Sequence, residues 1–183
     1  GVNLIARNVC RRSGNYTMQV TGEAIVRNNV VMGGEAGAFG STDNQGTTGD
    51  LRVVHNTFIN TGVGANLTSW NAREGLVFAN NAVYSLDAAS IRFPNGSAGV
   101  TLAGNVVVGP VVGASEGFAD GRGLQDFADV TRDWTCHDAA PTEDSALVGA
   151  AAAEFSLATD LFGRRRIPPL DAGAIDAGAP DRQ

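Results

Sequence analysis

The sequence predicts an all-β solenoid, in which short parallel strands wind into about five coils and an irregular C-terminal tail closes them. Three observations predict it. The pattern apolar-x-x-Asn-x-apolar returns five times between Val2 and Pro110, with Asn8, Asn29, Asn56, Asn81 and Asn105 as equivalent anchors 21, 27, 25 and 24 residues apart. Its two apolar positions admit no exception: Ile5, Val26, Val53, Phe78 and Leu102 stand three residues before the asparagine, and Cys10, Val31, Phe58, Val83 and Val107 two after it. Ahead of the asparagine, apolar and polar residues alternate, as in Leu51-Arg52-Val53 and Val100-Thr101-Leu102. That is the period of a strand, not of a helix.

A unit of this length cannot bury an apolar face alone, so it stacks on its neighbours. Strands of about three to five residues, separated by Gly, Asn, Asp and Ser, then give one turn of coil per repeat, with turns about 4.8 Å apart. At that spacing equivalent asparagines bond amide to amide along the stack. Each link contributes about 1 kcal/mol net, against a buried amide left unpaired. Ten residues beyond the asparagine, a third apolar register is expected at Met18, Phe39 and Ile91, loosened at Asn66 (beside Leu67) and Ser115.

The segments LRVVHNTFIN (51–60), LVFANNAVYS (76–85) and VTLAGNVVVG (100–109) resemble coils of the right-handed parallel β-helix, the fold of the pectate-lyase-like superfamily. The resemblance covers residues 2–118 and rests on the residues that stack coils, so it specifies fold more sharply than activity. Unequal coil lengths fit the right-handed form better than a left-handed one with strict hexapeptides, and parallel crossovers favour that hand. The resemblance implies an elongated rod with a lateral groove that acts on or binds polysaccharide.

Length and composition agree. The 183 residues, 43% hydrophobic with 24 glycines and 7% aromatics, suit one domain of small stacked residues and tight turns. The coils are assigned to 1–123 and the tail to 124–183. A net charge of −6 argues against nucleic acid or an anionic membrane surface as partner, and no run of about 20 apolar residues is present to span a bilayer. The chain begins almost inside a coil, at GVNLIARN. Its open first turn is therefore expected to be covered by earlier coils of a longer chain or by a second subunit. Cys10 sits at an inward ladder position and reads as a small core residue. It meets Cys136 only if the tail folds back to the first coil.

In chain order, the first coil turns at RRSGN (11–15) and returns through YTMQV (16–20). The second carries the longest insertion, GSTDNQGTTGD (40–50), the third ends in SWNAREG (69–75) and the fourth in FPNGSAG (93–99). Equivalent loops stack, which would gather Asp43, Asn44, Trp70, Arg73, Arg92 and Asn95 along one edge. A ring with acids, amides and guanidinium groups is the mixture that holds sugars, and Asp43, Asn44, Trp70, Arg73 and Asn95 are the expected substrate-binding set. The plainer reading has Trp70 covering its own loop, Arg73 paired with Glu74 on the surface, and Asp43 capping a turn.

Lyase or epimerase chemistry needs a group that neutralises a uronate carboxylate, a base at its C5 proton and an acid for the leaving oxygen. Arg73 or Arg92 are candidates for the first role, His55 or Tyr84 for proton exchange. The pectate-lyase signature Arg-x-Pro-x-x-Arg is half present at Arg92-Phe93-Pro94-Asn95-Gly96-Ser97, where Ser97 replaces the second arginine. The lyase base is therefore not carried over. His55 occupies a slot filled elsewhere by Arg7, Asn28, Asn80 and Gly104, which reads as a solvated corner. The coil acids Glu23, Glu35, Asp43, Asp50, Glu74 and Asp87 form no aligned pair for glycoside hydrolysis. Neither TDNQGTTGD nor DGRGLQDFAD has the carboxylate spacing of a calcium loop, so no metal or cofactor is expected, calcium being left open without a motif.

After Pro110 the pattern decays, and VVGASEGFADGRG (111–123) reads as a last half coil. In the tail, Ser145 to Gly149, Thr159 to Gly163 with Arg164 to Arg166, and Asp171 to Ala174 resemble the closing segments of secreted bacterial β-helix proteins. That likeness implies a tail packed along the coils and closing their C-terminal end, in an exported protein. Separately, Ala150 to Leu157 reads as two helical turns. Together these readings describe a secreted, periplasmic or cell-surface protein acting on or binding an acidic polysaccharide in the manner of a lyase or epimerase. The alternatives are a non-catalytic surface or adhesion module, or the C-terminal fragment of an enzyme whose catalytic coils lie elsewhere.

Overall fold

The computed structural model describes residues 2–44 and 46–178; positions 1, 45 and 179–183, assigned above to coils and tail, lie outside them. Five coils follow one another, each of three strands. They are β1 (Asn3–Ala6), β2 (Val9–Arg11) and β3 (Tyr16–Gln19); β4 (Ala24–Arg27), β5 (Val30–Met32) and β6 (Gly37–Ser41); β7 (Leu51–Val54), β8 (Thr57–Asn60) and β9 (Ala65–Leu67); β10 (Val77–Ala79), β11 (Ala82–Ser85) and β12 (Ile91–Arg92); and β13 (Thr101–Ala103), β14 (Asn105–Val108) and β15 (Val111–Val112). A short β16 (Phe118–Asp120) precedes an antiparallel hairpin of β17 (Phe127–Val130) and β18 (Cys136–Pro141). The first strands of the coils stack as parallel sheet A, the second strands with β16 as sheet B, and the third strands as sheet C.

Register follows the asparagine pattern. Ile5, Val26, Val53, Phe78 and Leu102 are successive partners in sheet A, and Cys10, Val31, Phe58, Val83 and Val107 in sheet B. The third register departs from fixed spacing. The turns between sheets B and C differ in length, so the inward row is Met18, Phe39, Ala65, Ile91 and Val111. Asn66 and Ser115 are not in it. Asn66 is one place along from Ala65, and a one-residue shift in a strand moves a side chain to the opposite face.

One left-handed residue makes each corner between sheets A and B: Arg7 (φ 62°), Asn28 (52°), His55 (53°), Asn80 (56°) and Gly104 (60°). For a side chain other than glycine that conformation costs about 1–2 kcal/mol. The ladder offsets it. Nδ2 of Asn8, Asn29, Asn56 and Asn81 donates to Oδ1 of the next asparagine at 2.9, 2.9, 3.0 and 3.1 Å, and the backbone N–H of each donates to the same oxygen. From Asn29 onward, Nδ2 also reaches back to the carbonyl of Ile5, Val26, Val53 or Phe78. At the last rung the carbonyl of Gly117 replaces the next asparagine, accepting both the N–H and Nδ2 of Asn105 at 3.2 Å.

Inside the coil Phe39, Phe58 and Phe78 stack at 4.9 and 6.3 Å between centroids. A second apolar cluster lies outside sheet B, where Val30, Met32, Ile59, Ala82, Tyr84 and Val106 meet Phe127, Val130, Leu147, Leu161, Ala172 and Ile175 of the tail. From β5 to β14, sheet B is thus buried on both faces. The tail runs back along the whole stack: Arg11 Nη2 donates to the Cys136 carbonyl and Arg7 Nη2 to the Thr159 hydroxyl. Cys10 packs against the coil core, Cys136 is buried under sheet B, and both are free thiols. Between Ala150 and Leu157 only Ala153–Phe155 is helical, a single 3-10 turn. The first coil leaves Leu4 and Val9 exposed.

Candidate functional site: the outer face of sheet C

Sheets A and B lend their surfaces to different tasks from sheet C. The tail covers sheet B and the corner between A and B, whereas sheet C turns a polar row outward. Its register places Gln19, Gly40, Asn66, Arg92 and Val112 on successive rungs. Across that row lies the ring of Tyr16. A Cβ on Gly40 would come within 2.6 Å of its Cδ2 and Cγ, and one on Gly37 within 2.9 Å of its Cε1. Both positions therefore need glycine for the ring to lie on the sheet. Asn66 Nδ2 donates to the Tyr16 hydroxyl at 2.7 Å, which fixes the far end of the ring. Asn66 Oδ1 is buried with no partner among the described residues. One rung on, Arg92 is exposed. An aromatic face, an amide and a guanidinium thus sit side by side on a rigid surface.

The loops between sheets C and A do stack beside this row. Arg73 grips Asp43 with both nitrogens, Nη1 to Oδ1 at 3.0 Å and Nη2 to Oδ2 at 2.6 Å, and Nη1 also donates to the Thr48 carbonyl. The Thr48 N–H, and then Arg73, hold the Asp43 carboxyl below its ordinary range. Asn95 Nδ2 donates to the Thr68 carbonyl, and Asn71 Oδ1 accepts the Ala98 N–H. Asn44 is exposed at the tip of the longest loop.

Trp70 is not on that wall. Its indole is fully buried between Phe78 and Phe93, at 6.1 and 6.4 Å, and Nε1 donates to the Ser41 hydroxyl at 2.9 Å. Turned inward, the ring fills apolar volume between the two phenylalanines, and Ser41 satisfies its one polar atom.

His55 and Tyr84 stand away from the loops. His55 has no exposed surface, so its corner is not solvated. Asn80 Nδ2 lies 3.0 Å from its Nε2. Burial, and then the positive charge of Arg166, push its pKa down to about 3, which keeps it neutral. The neighbouring corner residues anchor the tail. Asn28 donates to the Thr159 carbonyl and accepts from Arg166 Nη2, and Asn80 pairs through both side-chain atoms with the backbone of Ala152. Tyr84 is buried against Phe127, 4.8 Å between centroids, and its hydroxyl donates to Asp126 Oδ2. Burial, reinforced by that carboxylate, raises the phenol pKa far above its usual value. Of the four catalytic candidates, Arg73 and Arg92 therefore flank sheet C while His55 and Tyr84 lie beneath the tail.

Sequence reasoning missed Tyr16 and the outward placement of Asn66. The available signal was small residues at 37 and 40 facing an aromatic 16 in the preceding coil. Among the described residues no group of three or more His, Cys, Asp or Glu is placed to hold a metal ion, and no helix is long and apolar enough to cross a membrane. No protein-family model matches the chain, and comparison with curated proteins and with solved structures returns no match.

Proposed function

We propose that this chain is an exported polysaccharide-binding protein of the right-handed, pectate-lyase-like β-helix kind, which holds an acidic glycan along the outer face of sheet C. The observation that carries this reading is the ring of Tyr16 lying over Gly40 and tethered by Asn66 at 2.7 Å, with exposed Arg92 on the next rung. A pyranose stacks on such a ring, and a guanidinium one rung away matches a carboxylate of a following sugar, since rungs about 4.8 Å apart approach the length of one residue of an extended glycan. Export is supported by the tail segments at 145–149, 159–166 and 171–174. Binding is favoured over cleavage because His55 and Tyr84, the proton-exchanging candidates, are buried under the tail, and Arg73 is committed to Asp43 and Thr48.

The test is calorimetric titration with hexagalacturonate and hexamannuronate, alongside the ultraviolet absorbance that an unsaturated uronate product would give. Binding without absorbance growth is expected. Arg92→Ala and Tyr16→Ala should each weaken it about tenfold, the worth of one charge-assisted or stacking contact. Unchanged affinity in both variants would remove sheet C from consideration, and growth of absorbance would restore the lyase reading.

A further inference from the structure

The tail hairpin closes through Thr131 to Thr135, and Trp134 within it has φ 68°. A bulky residue in the left-handed region is an outlier that the surroundings must enforce. Here they do. The Trp134 N–H donates to the Thr131 carbonyl, the Thr131 N–H to the Thr135 carbonyl, and Asp133 Oδ1 accepts from the Thr131 hydroxyl and the Thr135 N–H. Those two donors hold the Asp133 carboxyl down at about 2, so it stays an acceptor. Arg12 Nη2 donates to the Asp133 carbonyl at 2.7 Å and ties the hairpin to the first turn between sheets B and C.

This turn puts the indole against glycine. A Cβ on Gly33 would meet Trp134 Cδ1 and Nε1 at 3.3 Å. Beside the half-buried ring opens a cleft of about 490 Å³, lined by Arg12, Gly34, Glu35, Asn60, Thr61 and Trp134 among others. Asn60 Nδ2 is spent on the carbonyls of Gly34 and Val63, at 3.0 and 3.1 Å. Its Oδ1, the Glu35 carboxylate and the indole N–H make no hydrogen bond among the described residues.

We infer that this cleft binds one neutral hexose unit of a glycan. The indole offers a flat apolar surface to a pyranose face, Glu35 and Asn60 Oδ1 accept from ring hydroxyls, and the indole N–H and Thr61 donate to them. The cleft carries one charge of each sign, Glu35 and an Arg12 whose Nη2 is engaged by the Asp133 carbonyl, so it offers no net positive charge to a uronate, whose carboxylate Glu35 repels. A peptide is disfavoured too, since an anchoring side chain wants an apolar pocket, and the indole is the one aromatic wall in this cleft. The site lies on the turns between sheets B and C. It stands independently of the reading given to sheet C.

The chain has two tryptophans, and Trp70 is fully buried, so a change of indole emission on adding sugar reports Trp134. Cello-, manno- and galacto-hexasaccharides are titrated against the whole chain by fluorescence and calorimetry. At least one should shift the emission saturably in the millimolar range or below. Trp134→Gly relieves the left-handed backbone and so keeps the fold, which circular dichroism checks. It should weaken calorimetric affinity at least about tenfold, while Arg52→Ala, exposed on sheet A and outside both sites, leaves affinity within about twofold. No emission change with any of the three up to about 20 mM, or undiminished affinity in folded Trp134→Gly, overturns the inference.

Discussion

The Tyr84 hydroxyl donates a 2.6 Å hydrogen bond to Oδ2 of Asp126, and the same carboxylate accepts the N–H groups of Arg122 at 2.6 Å and Ala146 at 2.9 Å. One buried acid of the tail thereby joins the outer face of sheet B to the end of the coils at Arg122 and to a later stretch of the tail at Ala146. Tyr84→Phe removes one of three donors to a charge with no exposed surface, and should cost about 1–3 kcal/mol. Urea unfolding of the two proteins side by side measures it. An unchanged midpoint would mean that water replaces the phenol and that the tail does not depend on this contact.

The asparagine ladder should weaken most at its middle. Asn56 donates through N and Nδ2 to Asn81, through Nδ2 to Val26, and accepts from Asn29 on the other side. Asn56→Ala leaves those buried partners unsatisfied, for a loss of roughly 3–5 kcal/mol. Asn8 is exposed at the first coil, and Asn8→Ala should cost under about 1 kcal/mol. Equal losses at the two positions would refute the ladder as a source of stability.

Acid should destabilise the protein through His55. Its folded pKa, about 3, lies below the unfolded value of about 6.5. The unfolded chain therefore takes up a proton first. The stabilisation is complete above about pH 6.5 and is lost as pH falls from there toward 3, by about 2 kcal/mol between pH 6.5 and 5. His55→Asn, which tolerates the left-handed corner, should flatten that slope. The carboxyl of Asp176, raised by burial, contributes with the opposite sign, so the difference between wild type and variant is the quantity to plot. Parallel curves would show that His55 is solvated.

Gly40→Ala tests the site without touching any polar group. The new methyl falls 2.6 Å from the Tyr16 ring, which must swing off the sheet. Binding of hexagalacturonate should drop about as far as in Tyr16→Ala, about tenfold. Chemical denaturation should show a change of under about 1 kcal/mol, because the ring is half exposed already. Retained binding would mean that the ring is not the platform.

Trp70→Ala should cost about 3–5 kcal/mol, the range for emptying a large buried aromatic site. A loop residue on a groove wall would instead change the melting temperature little. Calorimetric melting separates the two.

The sequence displayed the coils because their stacking is periodic. An asparagine every 21 to 27 residues, flanked by apolar residues at fixed offsets, is a local pattern, and parallel strands in register repeat local patterns faithfully. The doubled burial of sheet B was also written there. Val30-Val31-Met32, Ala82-Val83-Tyr84 and Val106-Val107-Val108 are unbroken apolar runs, whereas Leu51-Arg52-Val53 in sheet A alternates, and an unbroken run marks a strand covered on both faces.

The candidate site was legible only in part. Stacked loops placed Asp43, Arg73 and Asn95 on one edge, and the structure has them there. Their partners were not legible. Arg73 is spent on Asp43 and Thr48, Trp70 turns inward, and His55 is roofed by residues more than 100 positions away, such as Ala174 on its neighbour Thr57.

Chain periodicity alone therefore determined the strands and register of sheets A and B, the ladder and the number of coils, since each repeats at short range with the same physical demand. Tertiary structure alone decided which faces remain for a ligand. An aperiodic tail chooses its docking surface by long-range burial and hydrogen bonding, and it took sheet B and the corner beside it. That left sheet C, with Tyr16 on its two glycines, facing solvent.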